Sequence, residues 1–453
     1  MKKLIALIAL ITIVACKNEA QKKENLNKTT PTAKAITDAD IENAVIYETN
    51  IRQYSPEGTF DAFTKDIPQL KELGVKIIWL MPIYPISNTK SKGPLGSYYA
   101  ITDYTKVNPE FGNLKDVKNL VKTAHNNGMF VILDWVANHT GWDHEWIKNH
   151  PDYYTKDAKG NIISPKGTDW TDVADLNYDN KSMRKEMIED MSYWLKDVNV
   201  DGFRCDVAGS VPEDFWADAT VKLKKIKPIF MLAEAWEPKL FKNGFDMAYG
   251  WDTYHIMNEI AQGKKNVHAW DKRRSQIDSM YQKDDILMNF ITNHDENSWN
   301  GTVKERLGDA SNTMLALTYC TPGMPLIYSG QEYGMHKRLR FFDKDTITKV
   351  KGKVWALLEK FGKLKNTDIA LNGGKNAASY QKINSSNNDN ILIFKREKEG
   401  EKLFYMANLS NKEVSFTTNL TGDFLDYISQ EKIHFTKDKN LIFKPWEYKI
   451  LVP

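Results

Sequence analysis

Eight apolar segments that alternate with helical or irregular stretches constrain the fold of this chain more than any other feature. Their apolar positions run almost without interruption, which is typical of parallel strands that are covered on both faces. Amphipathic helical patterns precede the second, third and fourth segments, at residues 63–73, 114–126 and 182–196. The eight segments occupy residues 43–51, 75–84, 129–139, 200–208, 229–236, 245–251, 286–295 and 324–334. This alternation predicts an α/β fold of the (β/α)8 barrel type, in which an active site occupies the C-terminal ends of the strands.

Two additions to the barrel are predicted by the remaining sequence. The stretch after the third segment is long, and we interpret residues 140–178 as an insertion that forms one wall of the site. Residues 371–453 change to short alternating strands separated by Asn, Ser, Gly and Lys turns, which is typical of an antiparallel β-sandwich. The barrel is therefore assigned to residues 44–370.

The first sixteen residues have the pattern of an export signal. Lys2 and Lys3 precede an apolar run at 4–15 that is too short to span a bilayer as a mature helix. The run ends in IVAC, which resembles the lipobox of bacterial lipoproteins and implies that Cys16 is the acylated first residue of the mature chain. Residues 17–43 contain few large apolar side chains and predict a flexible tether. We expect an exported protein with a lipid anchor in the bacterial outer membrane, on its periplasmic or surface side; an uncleaved anchor is the alternative.

Charge and cysteine content exclude several classes of function. Without Lys2 and Lys3, 60 of the 62 basic residues remain and nearly balance the 59 acidic ones. The chain therefore has no excess charge that would favour nucleic acid as a partner. Cys205 and Cys320 lie in apolar segments and are predicted to be buried thiols rather than a disulfide. The sequence makes no prediction of the oligomeric state.

Polar side chains follow four of the eight apolar segments. Because the C-terminal ends of parallel strands meet at one mouth of a barrel, we expect these side chains to converge there. The set consists of Asp134, Asn138, His139, Arg204, Asp206, Glu234, Trp236, Asn293, His294 and Asp295. Arg204 and Asp206 are two residues apart and share one side of a strand, where the guanidinium favours the ionised carboxylate. A purely structural ion pair is the alternative.

Six short motifs in this order resemble the α-amylase family of retaining glycoside hydrolases. The motifs are DWVANH, VADLN, GFRCDVAG, EAW, FITNHD and GMPLIYSGQE. The resemblance covers nearly the whole mature chain. It implies that Asp206 is the catalytic nucleophile, Glu234 the general acid/base and Asp295 the carboxylate that stabilises the transition state.

The same resemblance assigns supporting residues to the site. It implies that Arg204, His139 and His294 contact the same sugar unit and that Tyr99 provides the ring on which this sugar stacks. The pKa of Glu234 is predicted to be raised by nearby carboxylates and partial burial, which suits a proton donor. Retaining enzymes of this type hold their two catalytic carboxyl groups about 5–5.5 Å apart.

Several other side chains have a structural as well as a functional interpretation. Asp134 either holds Arg204 or acts in the site, and Trp236 belongs either to the core or to a sugar subsite. The aromatic residues of the insertion are interpreted as its small core, with sugar platforms as the alternative. They are Trp142, Trp146, Tyr153, Tyr154 and Trp170.

The predicted function is hydrolysis of α-1,4 bonds in starch-like polysaccharides or maltooligosaccharides, without an organic cofactor. Calcium-dependent members of the family carry Lys and His where this chain has Gly209 and Ser210, so a calcium site is doubtful although the family ligand Asn138 is present. The enzyme alternatives are an α-glucosidase, a cyclomaltodextrinase or neopullulanase, and a transglycosylase. A non-catalytic glucan-binding protein is the alternative of another class, but such relatives usually lose catalytic carboxylates.

A change of Cys16→Ser tests the predicted anchor. The thiol is the only group of the predicted lipobox that can be acylated, so the variant should leave the membrane fraction while the folded domain keeps its specific activity. The measurement is a detergent-free fractionation followed by an activity assay. Unchanged membrane retention would contradict the anchor.

Overall fold

The computed structural model describes residues 34–453. The predicted signal segment, Cys16 and residues 17–33 of the predicted tether lie outside the described residues. Within residues 34–453, none of the helices combines the length and the apolar character needed to cross a membrane.

Eight parallel strands form a closed barrel, as the sequence predicts. The strands are numbered along the described chain, and β1 closes the barrel by pairing with both β2 and β10. The barrel strands are β1 (Val45–Thr49), β2 (Val75–Leu80), β3 (Phe130–Trp135), β6 (Gly202–Cys205), β7 (Phe230–Ala233), β8 (Met247–Tyr249), β9 (Ile286–Asn289) and β10 (Met324–Tyr328). Each strand is shorter than its predicted segment, because the polar residues that follow it leave the ladder and enter the mouth of the barrel.

Helices cover the outside of the barrel and connect its strands. Helix Leu114–Asn126 coincides with its predicted bounds: Asn113 caps its first turn, and Val117, Leu120 and Ala124 form its buried face. The described α-helices are Asp38–Ile41, Ile51–Tyr54, Phe60–Leu70, Leu114–Asn126, Glu145–Asn149, Lys181–Tyr193, Glu213–Lys224, Lys239–Lys242, Trp251–Ala261, Val267–Met280, Val303–Leu307, Ser311–Cys320 and Lys353–Thr367.

The barrel interior is filled by inward-facing side chains. Alternate residues of the strands, among them Ile46, Ile132 and Met288, pack there with almost no exposure. Trp79 and Tyr249 belong to this cluster and contact each other with ring centroids 6.4 Å apart. The barrel is therefore a packed core, and it gives the polar residues at its mouth a rigid floor.

The insertion after β3 contains a small antiparallel sheet. Strand β4 (His139–Gly141) pairs with β5 (Val173–Asp175), and helix Glu145–Asn149 lies between them in sequence. Trp146, Tyr153 and Tyr154 are buried as predicted for a core.

The C-terminal residues form the predicted antiparallel β-domain. Its larger sheet has six strands in the order β11-β12-β13-β18-β15-β16, and β14 pairs with β17 in a second sheet. The strands are β11 (Ser379–Ile383), β12 (Ile391–Lys398), β13 (Glu401–Asn408), β14 (Val414–Phe416), β15 (Gly422–Asp426), β16 (Lys432–Phe435), β17 (Leu441–Phe443) and β18 (Tyr448–Val452). Phe404, Met406, Phe416 and Phe443 share one buried cluster drawn from both sheets.

Two further expectations can be compared with the structure. Cys205 and Cys320 are buried free thiols, as predicted. The folded part begins earlier than predicted, because Ile36 is buried and a helix occupies Asp38–Ile41 within the segment assigned to the tether. Apolar Ile36 and Ile41 pack against the cluster that fills the barrel, which the low average hydrophobicity of the segment does not reveal.

Gly202, the first residue of β6, allows a stability test. Its φ is +149° and a methyl group there would lie 1.8 Å from the Phe230 carbonyl oxygen of β7. We expect Gly202→Ala to lower the free energy of unfolding by about 3 kcal/mol or more, because the two paired strands must move apart. Gly263→Ala is the matched control, since φ is +70° but no heavy atom lies within 4 Å, and it should cost about 1 kcal/mol. Thermal melting of both variants is the measurement, and equal losses would contradict the steric argument.

Candidate active site

A cleft of about 630 Å³ lies at the C-terminal ends of the barrel strands. Short backbone hydrogen bonds place its acids: the Asp206 N–H donates to the Trp135 carbonyl at 2.9 Å and the Glu234 N–H to the Cys205 carbonyl at 3.0 Å. Six predicted site residues line the cleft, and they are Tyr99, His139, Asp206, Glu234, His294 and Asp295. Arg204, the seventh, lies beneath them with no exposed surface.

The Arg204 guanidinium connects three carboxylates from three neighbouring strands. Nη1 lies 2.9 Å from Asp134 Oδ1 and 2.7 Å from Asp206 Oδ1, and Nη2 lies 2.9 Å from Glu234 Oε1. Its Nε donates to the Tyr249 hydroxyl at 3.3 Å. The contact with Glu234 is an ion pair without a well-aligned hydrogen bond, because Nη2 has no acceptor in suitable geometry. This one cation therefore fixes the relative positions of the acids.

Asp134 is a structural residue of the site. It is fully buried, and its Oδ2 accepts hydrogen bonds from Trp79 Nε1 at 3.1 Å and from the Tyr99 hydroxyl at 3.2 Å. It does not line the cleft. Of its two interpretations, the structure supports the one in which it holds Arg204.

Glu234 and Asp206 have different surroundings and different acidities. Burial raises the pKa of Glu234 to about 7 against the opposing charge of Arg204, as the sequence predicts. Burial also raises the pKa of Asp206 to about 6 although Arg204 lowers it. Arg204 favours the ionised form of Asp206, as the sequence predicts, but loss of solvent outweighs the ion pair and leaves the pKa above its ordinary value.

The backbone after Asp206 also holds Glu234. The Val207 N–H donates to Glu234 Oε2 at 2.8 Å, and Val207 has a φ of +41°. A β-branched residue in this left-handed region is strained, and such strain concentrates at functional sites. The strained turn aims the amide at the carboxylate that Arg204 contacts through its other oxygen.

His294 is held in its cationic form by two carboxylates. Its Nδ1 pairs with buried Glu48, and its Nε2 lies 2.8 Å from the Tyr99 hydroxyl and 3.3 Å from Asp295 Oδ2. Burial lowers the pKa of His294, but Asp295 and Glu48 outweigh burial and raise it to about 9. Sequence reasoning missed Glu48, although an acidic residue inside the apolar first strand is a signal that could have identified it.

His139 is neutral, in contrast to His294. Burial lowers the pKa of His139 to about 3, and its Nδ1 lies 3.1 Å from Asn138 Nδ2. Its ring lies 5.5 Å from that of Trp170, which lines the cleft. The assignment of Trp170 to the core of the insertion is therefore wrong, since its neighbours leave one side of the ring to the cleft.

Aromatic residues from two loops extend the cleft beyond Tyr99. Phe341 stacks on Tyr99 with ring centroids 6.3 Å apart, and Trp299 lies 5.3 Å from Phe341 and 5.8 Å from Phe342. The Trp299 side chain is 53% exposed. Sequence reasoning missed these rings, although large aromatics in the otherwise polar stretches ENSWNG and RLRFFDKD are a signal of exposed platforms.

Trp236 and Trp142 complete the comparison with the predicted residues. Trp236 is 51% exposed, so it is not a core residue, and it does not line the cleft. Trp142 is partly buried against the insertion, and its Nε1 donates to the Thr171 carbonyl at 3.0 Å.

The residues at which the resemblance raises the question of a calcium site are Asn138, Gly209 and Ser210. In the part of the chain that the structure describes, no three His, Cys, Asp or Glu side chains are grouped to hold a metal ion. Asn138 is engaged with His139, and Ser210 ends a single 3-10 turn at Ala208–Ser210.

Comparison with known proteins identifies the family of this chain. The family profile described as "Alpha amylase, catalytic domain" matches residues 29–172 and 166–390. Alpha-amylase MalA of Haloarcula japonica is 28% identical over 309 residues, which are 66% of this chain and 45% of that protein. The chain thus spans less than half of that relative.

Two solved structures match almost the whole chain. An alpha-amylase from Lactobacillus plantarum is 30% identical with a TM-score of 0.83, covering 92% of this chain and 100% of that one. A noncanonic maltogenic alpha-amylase, AmyB from Thermotoga neapolitana, is 28% identical with a TM-score of 0.84, covering 91% and 99%. By its profile match, its barrel and its cleft, the chain belongs to the alpha-amylase family of glycoside hydrolases.

Proposed function

We propose that this protein hydrolyses α-1,4-glucosidic bonds of starch-like polysaccharides or maltooligosaccharides with retention of configuration. The observation that carries the proposal is the pair of cleft carboxyls, Asp206 and Glu234, which Arg204 contacts together at the mouth of the barrel. Retaining glycosidases need one ionised carboxylate as nucleophile and one protonated carboxyl as acid.

Each carboxyl group then has one task in each half of the reaction. Asp206 attacks the anomeric carbon and forms a glycosyl ester, while Glu234 gives its proton to the departing glycosidic oxygen. In the second half, Glu234 takes a proton from water, which attacks the same carbon and releases Asp206. The Val207 amide favours ionised Glu234 in this second half, because it donates to Oε2.

The remaining cleft residues suit binding of the sugar under attack. Asp295 lies beside cationic His294, so a carboxylate and a hydrogen-bond donor face the sugar together. Neutral His139 provides a donor or acceptor for a hydroxyl without adding charge. Tyr99 provides an aromatic face, and its hydroxyl is fixed by Asp134 and His294. The Asp295 carboxylate can stabilise the positive charge that develops at the anomeric carbon, and the other groups position the sugar.

Related activities use the same machinery. Relatives include proteins named cyclomaltodextrinase and 4-alpha-glucanotransferase, and the latter differ in the acceptor that attacks the intermediate. An α-glucosidase or a neopullulanase is a further alternative, because it would use the same catalytic residues. A non-catalytic glucan-binding protein is the less favoured class, because the three acidic side chains that the mechanism needs all line the cleft.

The setting of this activity is also proposed. The IVAC sequence and the following polar stretch favour an exported enzyme that is lipid-anchored to the outer membrane. The chemistry needs no organic cofactor, because acid, nucleophile and charge stabilisation all come from side chains.

Separate substitutions distinguish the two catalytic carboxyl groups. Asp206→Asn cannot form the glycosyl ester, so it should fail on natural glucans and on α-maltosyl fluoride alike. Glu234→Gln should lose natural glucans but keep much of its glycosylation rate on the fluoride, whose leaving group needs no proton. Because burial raises the pKa of Glu234 to about 7, unaltered enzyme should lose activity on glucans as pH rises through that value. Glu234→Gln should lack this alkaline limb on the fluoride.

Added azide makes the same assignment by product analysis. It should speed turnover of Glu234→Gln and give a glycosyl azide of retained configuration, because azide needs no general base. It should not rescue Asp206→Asn. A glycosyl azide of retained configuration from the Asp206 variant would exchange the two roles, and full activity of both variants would remove these residues from the mechanism.

Chelation tests the proposed independence from calcium. We expect excess EDTA to leave most of the activity and the melting temperature unchanged, since Gly209 and Ser210 replace the usual Lys-His pair. A tightly bound calcium would stabilise the native state in proportion to its binding free energy. A large fall in melting temperature that calcium restores would show that the site exists.

A further inference from the structure

A short segment after β2 contacts two walls of the cleft, and we call residues 92–95 the strap. At one end of the strap, Lys92 Nζ donates to the Asp169 carbonyl at 2.9 Å and lies 3.5 Å from Asp172 Oδ1. At the other end, the Leu95 N–H donates to the Phe342 carbonyl at 3.1 Å. The strap therefore joins the insertion to the loop that follows β10.

Both attachments face the same cleft as the catalytic acids. Lys92, Asp169, Asp172 and Phe342 all line it. The Asp172 side chain is only 7% exposed and that of Lys92 is 31% exposed, so their ion pair is partly shielded from water. A shielded pair with an added hydrogen bond holds its geometry better than an exposed pair.

The barrel also holds the strap from below. Buried Arg52 donates to the Leu95 carbonyl at 3.2 Å and to the Gly96 carbonyl at 3.4 Å. Gly93 has a φ of +65°, and a methyl group there would lie 2.4 Å from Phe342 Cβ. The close approach of the strap to Phe342 thus requires glycine.

The insertion and the loop after β10, which the strap joins, are each held by further hydrogen bonds. On the insertion side, Asp143 Oδ2 accepts from the N–H groups of Asn88 at 2.7 Å and Thr89 at 2.9 Å. On the other side, the Leu339 N–H donates to Asn297 Oδ1 at 2.9 Å. The strap is therefore part of a rigid rim.

Residues near the two attachment points indicate on which side of the scissile bond the strap lies. Glu234 marks the leaving-group side, because it protonates the glycosidic oxygen. Trp170, next to Asp169, packs beside His139, and Phe341, next to Phe342, stacks on Tyr99. Each attachment point of the strap is therefore next in sequence to a ring that packs on a residue assigned to the sugar under attack. These contacts favour the glycon side of the scissile bond as the position of the strap.

We propose that the strap closes the glycon side of the cleft and makes the enzyme act from the non-reducing ends of α-glucan chains. An internal segment of a long chain would have to continue through the space that Lys92 and Phe342 occupy, whereas a chain end can stop before it. The exposed face of Trp299 supplies a surface for the last sugar units. This inference rests on the proposed function and specifies its mode of action.

Two matched maltoheptaosides test this mode, one with a free non-reducing end and one with that end blocked by a 4,6-O-ethylidene group. Products are separated by chromatography, and kcat/KM is obtained for each substrate. We expect the free end to be preferred at least about tenfold, equal to about 1.4 kcal/mol of transition-state binding. β-Cyclodextrin, which has no ends, should also react more slowly than the free-ended substrate.

Variants of the strap separate its effect from the bulk of the blocking group. Lys92→Ala removes the ion pair, and Gly93→Ala forces the strap away from Phe342, so each should lose most of the preference for the free end. Lys90→Ala is the control, because this lysine belongs to the same loop but lies 3.3 Å from the Trp142 ring centroid instead of on the strap. It should keep the preference of the unaltered enzyme.

Three outcomes would count against these assignments in different ways. Equal rates on both maltoheptaosides in the unaltered enzyme would show an open cleft and overturn the strap proposal, with the proposed hydrolysis intact. A preference that survives unchanged in both strap variants would also overturn it. Failure to cleave either substrate would refute the proposed function itself.

Discussion

The burial of the Arg204 guanidinium is the constraint on which the site depends. A cation without solvent costs several kcal/mol unless partners compensate it, and this one is surrounded by Asp134, Asp206 and Glu234. The carboxylates in turn would repel one another without the cation. The same ion pairs therefore stabilise the barrel mouth and fix the positions of the acids. The pKa values of the acids follow from the balance between their loss of solvent and the charge of Arg204.

Much of this arrangement could be predicted because barrel topology does the positioning. Residues that directly follow a strand are carried to one rim whatever the connecting helices contain, so Asp206 and Glu234 needed only correct strand ends, and Asp295 lies farther along the segment after β9. The interior and exterior of each strand follow from alternation in the same way. The C-terminal domain was predictable for a similar local reason, since short alternating strands and turn residues recur within it.

What the sequence did not reveal depends on distant packing or on magnitudes. Trp170, Trp299 and Phe341 lie on long loops, and their positions follow from contacts between loops rather than from any periodicity. The pKa of Asp206 depends on how far burial outweighs Arg204, and a sequence gives no measure of burial depth at a strand end. The early start of the folded part rests on two isolated apolar residues, Ile36 and Ile41, whose neighbours are polar.

The pair formed by Glu48 and His294 links β1 to the residues after β9. The Tyr47 hydroxyl, also in β1, donates to Oε1 of Glu332 at 2.7 Å, and Glu332 follows β10. These partners are 246 and 285 positions apart in the chain. A ribosome-bound chain that stops before residue 294 contains all of β1 to β9 yet lacks both His294, the partner of Glu48, and Asp295. Closure of the barrel and completion of the site therefore both occur late in synthesis.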